Sequence, residues 1–271
     1  MKNHLLDGHY YGTIVRRGQM ASLILTETLY APHAFVPSHS HASAYFCKIL
    51  QGTYTETYER KTRECDANTL AFHPQDEIHS ERFHSCKVRS FNVEVTPGYR
   101  QRVREHADLL DRPVDFRGGS IAWLATKMYR EFVRDDAFSP LSIEGLALEI
   151  VAAGSRAQRN PLGGQPAAWL LRATDLLRVH FSERLTISEL GAAVAIHPVH
   201  LARVFHRYYQ CTIGEYLRRL RIEFACDQIK LGKTSLAEIA AQAGFFDQSH
   251  LCRTFKALTG MTPGEYRSAH R

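Results

Sequence analysis

Two stretches near the C-terminal end decide the fold: Thr186-Ile-Ser-Glu-Leu-Gly-Ala-Ala-Val-Ala-Ile-His-Pro-Val-His-Leu-Ala-Arg-Val-Phe-His206 and Ser235-Leu-Ala-Glu-Ile-Ala-Ala-Gln-Ala-Gly-Phe-Phe-Asp-Gln-Ser-His-Leu-Cys-Arg-Thr-Phe-Lys256. Thr186 to Leu190 recurs as Ser235 to Ile239 at an offset of 49, and one extra residue in the second turn makes it 50. His200-Leu201 then matches His250-Leu251, Arg203 matches Arg253, Phe205 matches Phe255, and Gly214-Glu215-Tyr216 matches Gly264-Glu265-Tyr266. Self-similarity at a fixed period means one supersecondary unit used twice. Two copies are too few for a solenoid, so each reads as a small helical module.

Each copy opens on a capping box, a hydroxyl three residues ahead of a carboxylate: Thr186 with Glu189, Ser235 with Glu238. A short helix of small and apolar residues follows. The turn is Ala195-Ile196 in the first copy and Gly244-Phe245-Phe246 in the second, where Gly244 suits a left-handed position. The next helix starts at Pro198, a good first-turn residue, and behind Asp247, a good N-cap. Leu201, Val204, Phe205 and Tyr208, and in the second copy Leu251, Phe255 and Leu258, recur at helical spacing and are expected to be buried. Val199, Ala202, Arg203 and His206 form the opposite face, as do Gln248, Ser249, Cys252, Arg253 and Lys256. A short helix, a tight turn and a second helix with a polar outer face read as helix-turn-helix, whose second helix enters a DNA major groove. The alternative for a single copy is an ordinary bundle with solvated charge, and two copies in register argue against it. Ile213 to Leu231 reads as one continuous helix joining them.

Residues 169–267 resemble the AraC/XylS family of bacterial transcription regulators. The resemblance rests on Leu236 to Lys256 and on Gly260-Met-Thr-Pro-Gly-Glu-Tyr-Arg267. It implies two helix-turn-helix subdomains on a linker helix. It places base-reading positions at Val199, Ala202 and Arg203, and at Gln248, Ser249, Cys252 and Arg253. With their outward neighbours His200, His206, Arg207 and Lys256 these make the candidate DNA-binding set. Val199 and Ala202 are small, which suits thymine methyls or groove shape better than hydrogen-bonding edges.

The 271-residue chain has 44% apolar residues and a net charge of +6. Residues 166–271 carry 14 Lys and Arg against 9 Asp and Glu, so nearly all the excess positive charge sits in the repeat region, where a phosphate-binding surface needs it. No run approaches a membrane span, and the N-terminal residues lack an apolar signal core, so a cytoplasmic location is expected. The six cysteines show no CxxC spacing and read as reduced thiols. A zinc site at Cys47, Cys65 and Cys86 is not favoured.

Residues 10–95 change character. Short runs rich in Val, Thr, Tyr and Phe (Ala21 to Leu29, Ala44 to Leu50, Thr53 to Tyr58, Thr69 to Phe72 and Val88 to Val95) predict an all-β sandwich or barrel. Within it lie His39-Ser-His41, Tyr45, Gly52 and His73-Pro74-Gln-Asp-Glu-Ile-His79. His-x-His on a strand points both imidazoles to one face, and a third histidine on a neighbouring strand would complete a three-nitrogen metal site. The pattern resembles the cupin barrel, with Tyr45 where cupin enzymes place a glutamate and Asp76 where a glycine is expected. Three readings stay open for His39, His41, Tyr45 and His79: hydrogen-bonded lining of a degenerate barrel, a pocket gripping an anionic or polar effector, or a divalent metal held by His39, His41 and His79. His73 and His84 read as surface or strand-end groups.

Helical periodicity over residues 119–135 and 142–153 predicts an antiparallel hairpin, which in the resembled family often carries the dimer contact. Gly154 to Ala168 reads as a flexible linker. The expected fold is therefore α+β and multidomain: a cupin-like β-barrel sensor over residues 1–100, a helical hairpin over 101–153, a linker over 154–168, and an all-α DNA-binding domain over 169–271 with helix-turn-helix motifs at 186–207 and 235–257. The expected function is a sequence-specific transcription regulator, not an enzyme, with no cofactor unless the histidines hold metal. Promoter DNA, a small-molecule effector, a second copy of the chain and, for an activator, RNA polymerase are the expected partners, and no membrane. The alternatives are a cupin-type metal-dependent enzyme with an accessory helical domain, and an architectural DNA binder without an effector.

Overall fold

Period-two alternation organises the first 95 residues into strands whose two faces meet different neighbours. The computed structural model describes residues 3–20, 22–67, 69–103, 111–159, 167–232 and 234–269. The chain divides into two compact units, Met1–Asn160 and Pro161–Arg271.

The first unit holds strands β1 (Asn3–Leu5), β2 (Thr13–Met20), β3 (Leu23–Tyr30), β4 (Phe35–His41), β5 (Ala44–Gln51), β6 (Tyr54–Tyr58), β7 (Lys61–Cys65), β8 (Thr69–His73), β9 (His79–Phe83), β10 (Val88–Val95) and β11 (Val114–Arg117). It also holds helices α1 (Pro97–Val103), α2 (Gly119–Arg134) and α3 (Ser139–Arg159). One sheet has the order β1-β4-β9-β6-β7 and the other β11-β8-β5-β10-β3-β2. Strand β5 shows how the sequence sorts its faces. Ala44 and Phe46 join a core with Tyr99 of α1, Met128 and Phe132 of α2 and Ile143 and Ile150 of α3. Tyr45, Cys47 and Ile49 point the other way, into an interior shared with Tyr54 of β6, Cys65 of β7 and Phe83 of β9. The second sheet therefore has helices on one face and the first sheet on the other.

All five expected strands are present, Val88–Val95 with the bounds expected and four with shifted ends, and among the described residues six others join them. Strand β2 escaped the reading because its side chains are exposed or half-buried along its whole length, so it shows no apolar alternation. Strand β11 falls in the stretch expected to be helical and instead pairs antiparallel with β8 at the sheet edge. The linker expected from residue 154 also starts too early, because α3 runs on to Arg159. Gly154 and Ser155 are buried in that helix, and Ala153 and Ala157 pack on the core, so packing outweighs the roughly 1 kcal/mol helix penalty of glycine. Residues 160–166 of the expected linker lie outside the described residues.

The second unit consists of α4 (Ala168–Val179), α5 (Ile187–Ala193), α6 (Pro198–Tyr209), α7 (Ile213–Leu231), α8 (Leu236–Gln242), α9 (Gln248–Thr259) and α10 (Pro263–Ala269). Both expected capping boxes form, and the same reciprocal bonds join Thr212 with Glu215 at the start of α7 and Thr262 with Glu265 at the start of α10. The joining helix spans the residues expected of it. The repeat is visible in the core as well. Phe205 meets Tyr216 edge to face at 5.4 Å, and Phe255 meets Tyr266 at 5.3 Å. On α6 the buried row is Leu201, Phe205 and Tyr209, while Val204 and Tyr208 are half-buried. Each four-residue step turns about 40° around the helix, so the buried row winds from Leu201 to Tyr209 instead of following the straighter line to Tyr208. Leu258 of α9 is likewise only half-buried. Among the described residues, no helix is long and apolar enough to cross a membrane.

Candidate functional site

Two places in the chain gather chemistry. The first is the outward face of α6 and α9. Helix α6 starts at Pro198, with the His197 ring accepting the Val199 amide at 3.4 Å. Helix α9 starts behind Asp247, whose carboxylate accepts the His250 amide at 2.6 Å. With each helix anchored by its buried row, Val199, His200, Arg203, His206 and Arg207 stand exposed on α6, and Gln248, Ser249, Arg253 and Lys256 on α9. Ala202 and Cys252, at matching positions, are half-buried. Arg203 Nη2 donates to His200 Nδ1 at 3.2 Å, which steers the guanidinium along the helix surface. Arg221 of α7, one of three arginines on that helix, is used internally. It donates to the carbonyls of Phe181 and Glu183 at 2.7 and 2.9 Å.

The second place is the interior between the two sheets. His39, His41, His79 and Tyr45 are all buried there. The β4–β9 register pairs His39 with His79, which accounts for the meeting of these side chains from distant parts of the sequence. His39 Nε2 lies 3.2 Å from His41 Nε2, and the Tyr45 hydroxyl lies 3.1 Å from His79 Nε2. Nδ1 of His39 faces the Pro37 carbonyl at 2.9 Å, and Nδ1 of His79 faces the Glu77 carbonyl at 3.1 Å. Burial, reinforced for His39 by the neighbouring His79, lowers both to about 4, and burial with His79 and His39 nearby lowers His41 to about 2. All three are neutral imidazoles at neutral pH. A carbonyl can only accept, so the Nδ1 atoms of His39 and His79 carry the protons and their Nε2 atoms offer lone pairs. The Tyr45 hydroxyl donates to the one on His79.

His73 ends β8, as a strand-end group would, but it is not the surface group that the sequence also suggested. His73 is 1% exposed and stacks on Tyr45, with centroids 4.4 Å apart at 8°. Its Nδ1 donates to Glu77 at 2.9 Å and its Nε2 accepts from Arg63 at 3.0 Å. Arg63 also pairs with Glu56, both fully inside. Burial pushes Glu77 up to about 7, and burial with Glu56 nearby pushes Glu81 up to about 8. Sequence inspection missed this network. Its signal was period two: His73 follows Ala71 on one face of β8, and Glu56 faces Arg63 across β6 and β7. His84 does lie at the surface, bonded to Thr55 and Glu64. Cys47 and Cys65 share the interior, whereas Cys86 is exposed.

The segment before β2 covers the histidines. β1 runs parallel beside β4 at Asn3–His39 and Leu5–His41. The ring of Tyr11 lies 5.1 Å from that of His39, and the ring of Tyr10 lies 5.1 Å from that of His41. The buried Glu94 carboxylate fastens this cover, accepting the Gly8 amide and the Tyr10 hydroxyl, each at 2.8 Å.

Residues 190–269 match the helix-turn-helix domain family. Over 160 residues, the chain is 29% identical to a putative AraC-like transcription regulator of Streptomyces antibioticus and 30% identical to one of Streptomyces lividans, in each case over 55% of this chain. It spans about half the length of those relatives, 52% and 51%. Over 93 residues it is 33% identical to an uncharacterized HTH-type transcriptional regulator of Staphylococcus aureus, covering 34% of this chain and 12% of that protein. Among solved structures, ToxT from Vibrio cholerae is similar at 11% identity and a TM-score of 0.41, over 92% of this chain and 99% of that one. The C-terminal domain of AraT from Geobacillus stearothermophilus is similar at 24% identity and a TM-score of 0.37, over 39% of this chain and 88% of that one.

Proposed function

We propose that this chain, whose residues 190–269 belong to the helix-turn-helix domain family, is a sequence-specific DNA-binding transcription regulator of the AraC-like kind. The observation that carries the reading is the duplication: α5-turn-α6 and α8-turn-α9 open on matching capping boxes, bury matching residues and carry arginines at the same outward position, which supports reading each pair as a helix-turn-helix motif. In this reading α6 and α9 occupy successive major-groove faces, about 34 Å apart along the duplex. Arg203, Gln248 and Arg253 supply bidentate hydrogen bonding to base edges, Val199 and Ala202 supply apolar contact, and Arg207 and Lys256 meet phosphate. The first unit, a cupin-like double sheet, senses an effector. The effector shifts the population between arrangements that bind promoter DNA differently. A homodimer and a cytoplasmic location belong to the same proposal. Phe138, Leu141 and Leu148, on and beside α3, are exposed apolar residues that suit a dimer contact. The relatives are named as regulators, which favours this reading over a cupin enzyme.

Selection of bound sequences from random DNA tests it. The expected result is a recurrent site with two blocks one helical turn apart, protected in a footprint. Recovery of no preferred sequence, with binding equal on all duplexes, would leave an architectural binder and end the regulator reading.

A further inference from the structure

We propose that His39, His41 and His79 form a binding site for one divalent first-row transition-metal ion, with the Tyr45 hydroxyl at a fourth position. The proposal deepens the regulator reading by naming the ligand class of its sensing unit, and its regulatory meaning rests on that reading.

The geometry points to a cation. Among the described residues, one ring nitrogen from each of the three histidines lies within 4.8 Å of the others. The His39 and His41 Nε2 atoms are already 3.2 Å apart. Tetrahedral coordination at roughly 2.05 Å per nitrogen separates ligand atoms by about 3.3 Å, so this pair already has the spacing of two ligands; His41, whose Nε2 donates to His39 Nε2, need only move its proton to Nδ1, and His79 needs only a short approach. The outer ring nitrogens are held as well. Nδ1 of His39 and of His79 each donate to a backbone carbonyl, of Pro37 and Glu77, the arrangement that fixes tautomer and ring orientation in metal-ligating histidines. On ion binding, the Tyr45 hydroxyl gives up its bond to His79 Nε2 and lies beside the ion as an oxygen ligand.

The same donor set argues against the anionic effector considered from the sequence. His39 and His79 present lone pairs to the centre, and a lone pair repels an anion. The nearby cation, Arg63, is already engaged by Glu56 and His73, and the Glu56 carboxylate adds negative charge to the same interior. A second grouping, Glu56, His73 and His79, also brings potential ligand atoms together. It suits a metal less well, because His73 Nε2 accepts from Arg63 and its Nδ1 donates to Glu77. Three neutral imidazoles select a borderline ion such as zinc, cobalt, nickel or ferrous iron over calcium or magnesium, which prefer oxygen.

The test is titration of the full chain, freed of metal by chelation, with Zn2+ and with Co2+ as a visible-absorption probe, alongside His41→Ala, Tyr45→Phe and a surface control, His84→Ala. One ion per chain is expected, with a Co2+ ligand-field spectrum of low coordination number. His41→Ala should lower affinity at least 100-fold, Tyr45→Phe about 10-fold or more, and His84→Ala should leave both affinity and spectrum unchanged. Absence of stoichiometric binding in the wild-type chain, or binding untouched in a folded His41→Ala variant, overturns the site. DNA affinity measured on the same samples separates the two readings. Metal bound with no DNA binding would sink the regulator reading and leave the site standing, whereas DNA binding without metal binding would do the reverse.

Discussion

Ala195 and Gly244 occupy the same left-handed backbone position in the turns of the two helix pairs, with φ of 56° and 74°. The duplication thus extends to a strained dihedral, which one copy meets with glycine and the other with alanine. A left-handed conformation costs an L-residue about 1–2 kcal/mol. Ala195 is exposed, so Ala195→Gly loses little packing and should stabilise the helical unit by about 1 kcal/mol, read as a higher urea midpoint at unchanged slope. The reverse change is not symmetrical. A Cβ on Gly244 would lie 2.0 Å from the Ser182 carbonyl oxygen, so Gly244→Ala must displace backbone and should cost about 2 kcal/mol or more. Equal and opposite effects would show that the Ser182 contact adds nothing and that the dihedral alone sets the cost in both turns.

The DNA reading predicts that Arg203→Ala and Arg253→Ala each cost roughly 1–3 kcal/mol in specific binding, while non-specific affinity drops by much less. Competition binding against the selected site and a scrambled duplex separates the two. Lys256→Ala is predicted to differ in kind: it weakens binding to both duplexes similarly and reduces the salt dependence by about one counterion. An unchanged specificity ratio for both arginine variants would remove them from the base-reading set.

Acid should unfold the helical unit through its caps. Hydrogen bonds from the cap backbone and hydroxyl lower Glu189, Glu215, Glu238 and Glu265 below the ordinary carboxylate value. A carboxyl lowered in the folded state contributes stability that is present above its unfolded value near 4.5 and is lost as pH falls through the folded value. Helical signal during urea unfolding should therefore weaken below about pH 4.5. Glu215→Gln should flatten that acid limb, because glutamine accepts at the cap without titrating. A wild-type acid limb retained in full by the variant would assign the loss to other groups.

The helical unit was legible because its determinants are local. Capping boxes, Pro198, Asp247 and Gly244 each act within four residues, and the offset of the repeat cross-checked them. The expected bounds of α7 hold for the same reason, with Thr212 at one end and left-handed Gly232 at the other. The β unit was legible where a strand is buried on both faces and reads as a run of apolar and aromatic residues, as in β5 and β10. The exposed edge β2 and the short β11 depend on pairing partners far away in sequence, which no local pattern reports. The histidine trio could be named from spacing, since His39 and His41 share a strand face. That His73 joins an ion-pair network with Arg63, Glu56 and Glu77 depends on three strand registers at once, so it became visible only in three dimensions.

That network carries the last prediction. Arg63 and Glu56 have side chains 4% and 0% exposed, so neither can be rescued by solvent. Arg63→Met removes the guanidinium but leaves the Glu56 carboxylate buried without its charge partner and His73 without its donor, and the cost of breaking such a pair is about 3–5 kcal/mol. Removing both charges removes the uncompensated one, so Arg63→Met/Glu56→Leu should recover most of that loss despite being the larger change. Trp123 lies buried in α2 of the same unit, and its fluorescence in a Trp169→Phe background reports unfolding there. Urea curves of wild type, single and double variants then form a cycle whose coupling energy isolates the pair. A double variant no more stable than Arg63→Met would mean that the hydrogen bond to His73, rather than the charge on Glu56, is what the arginine provides.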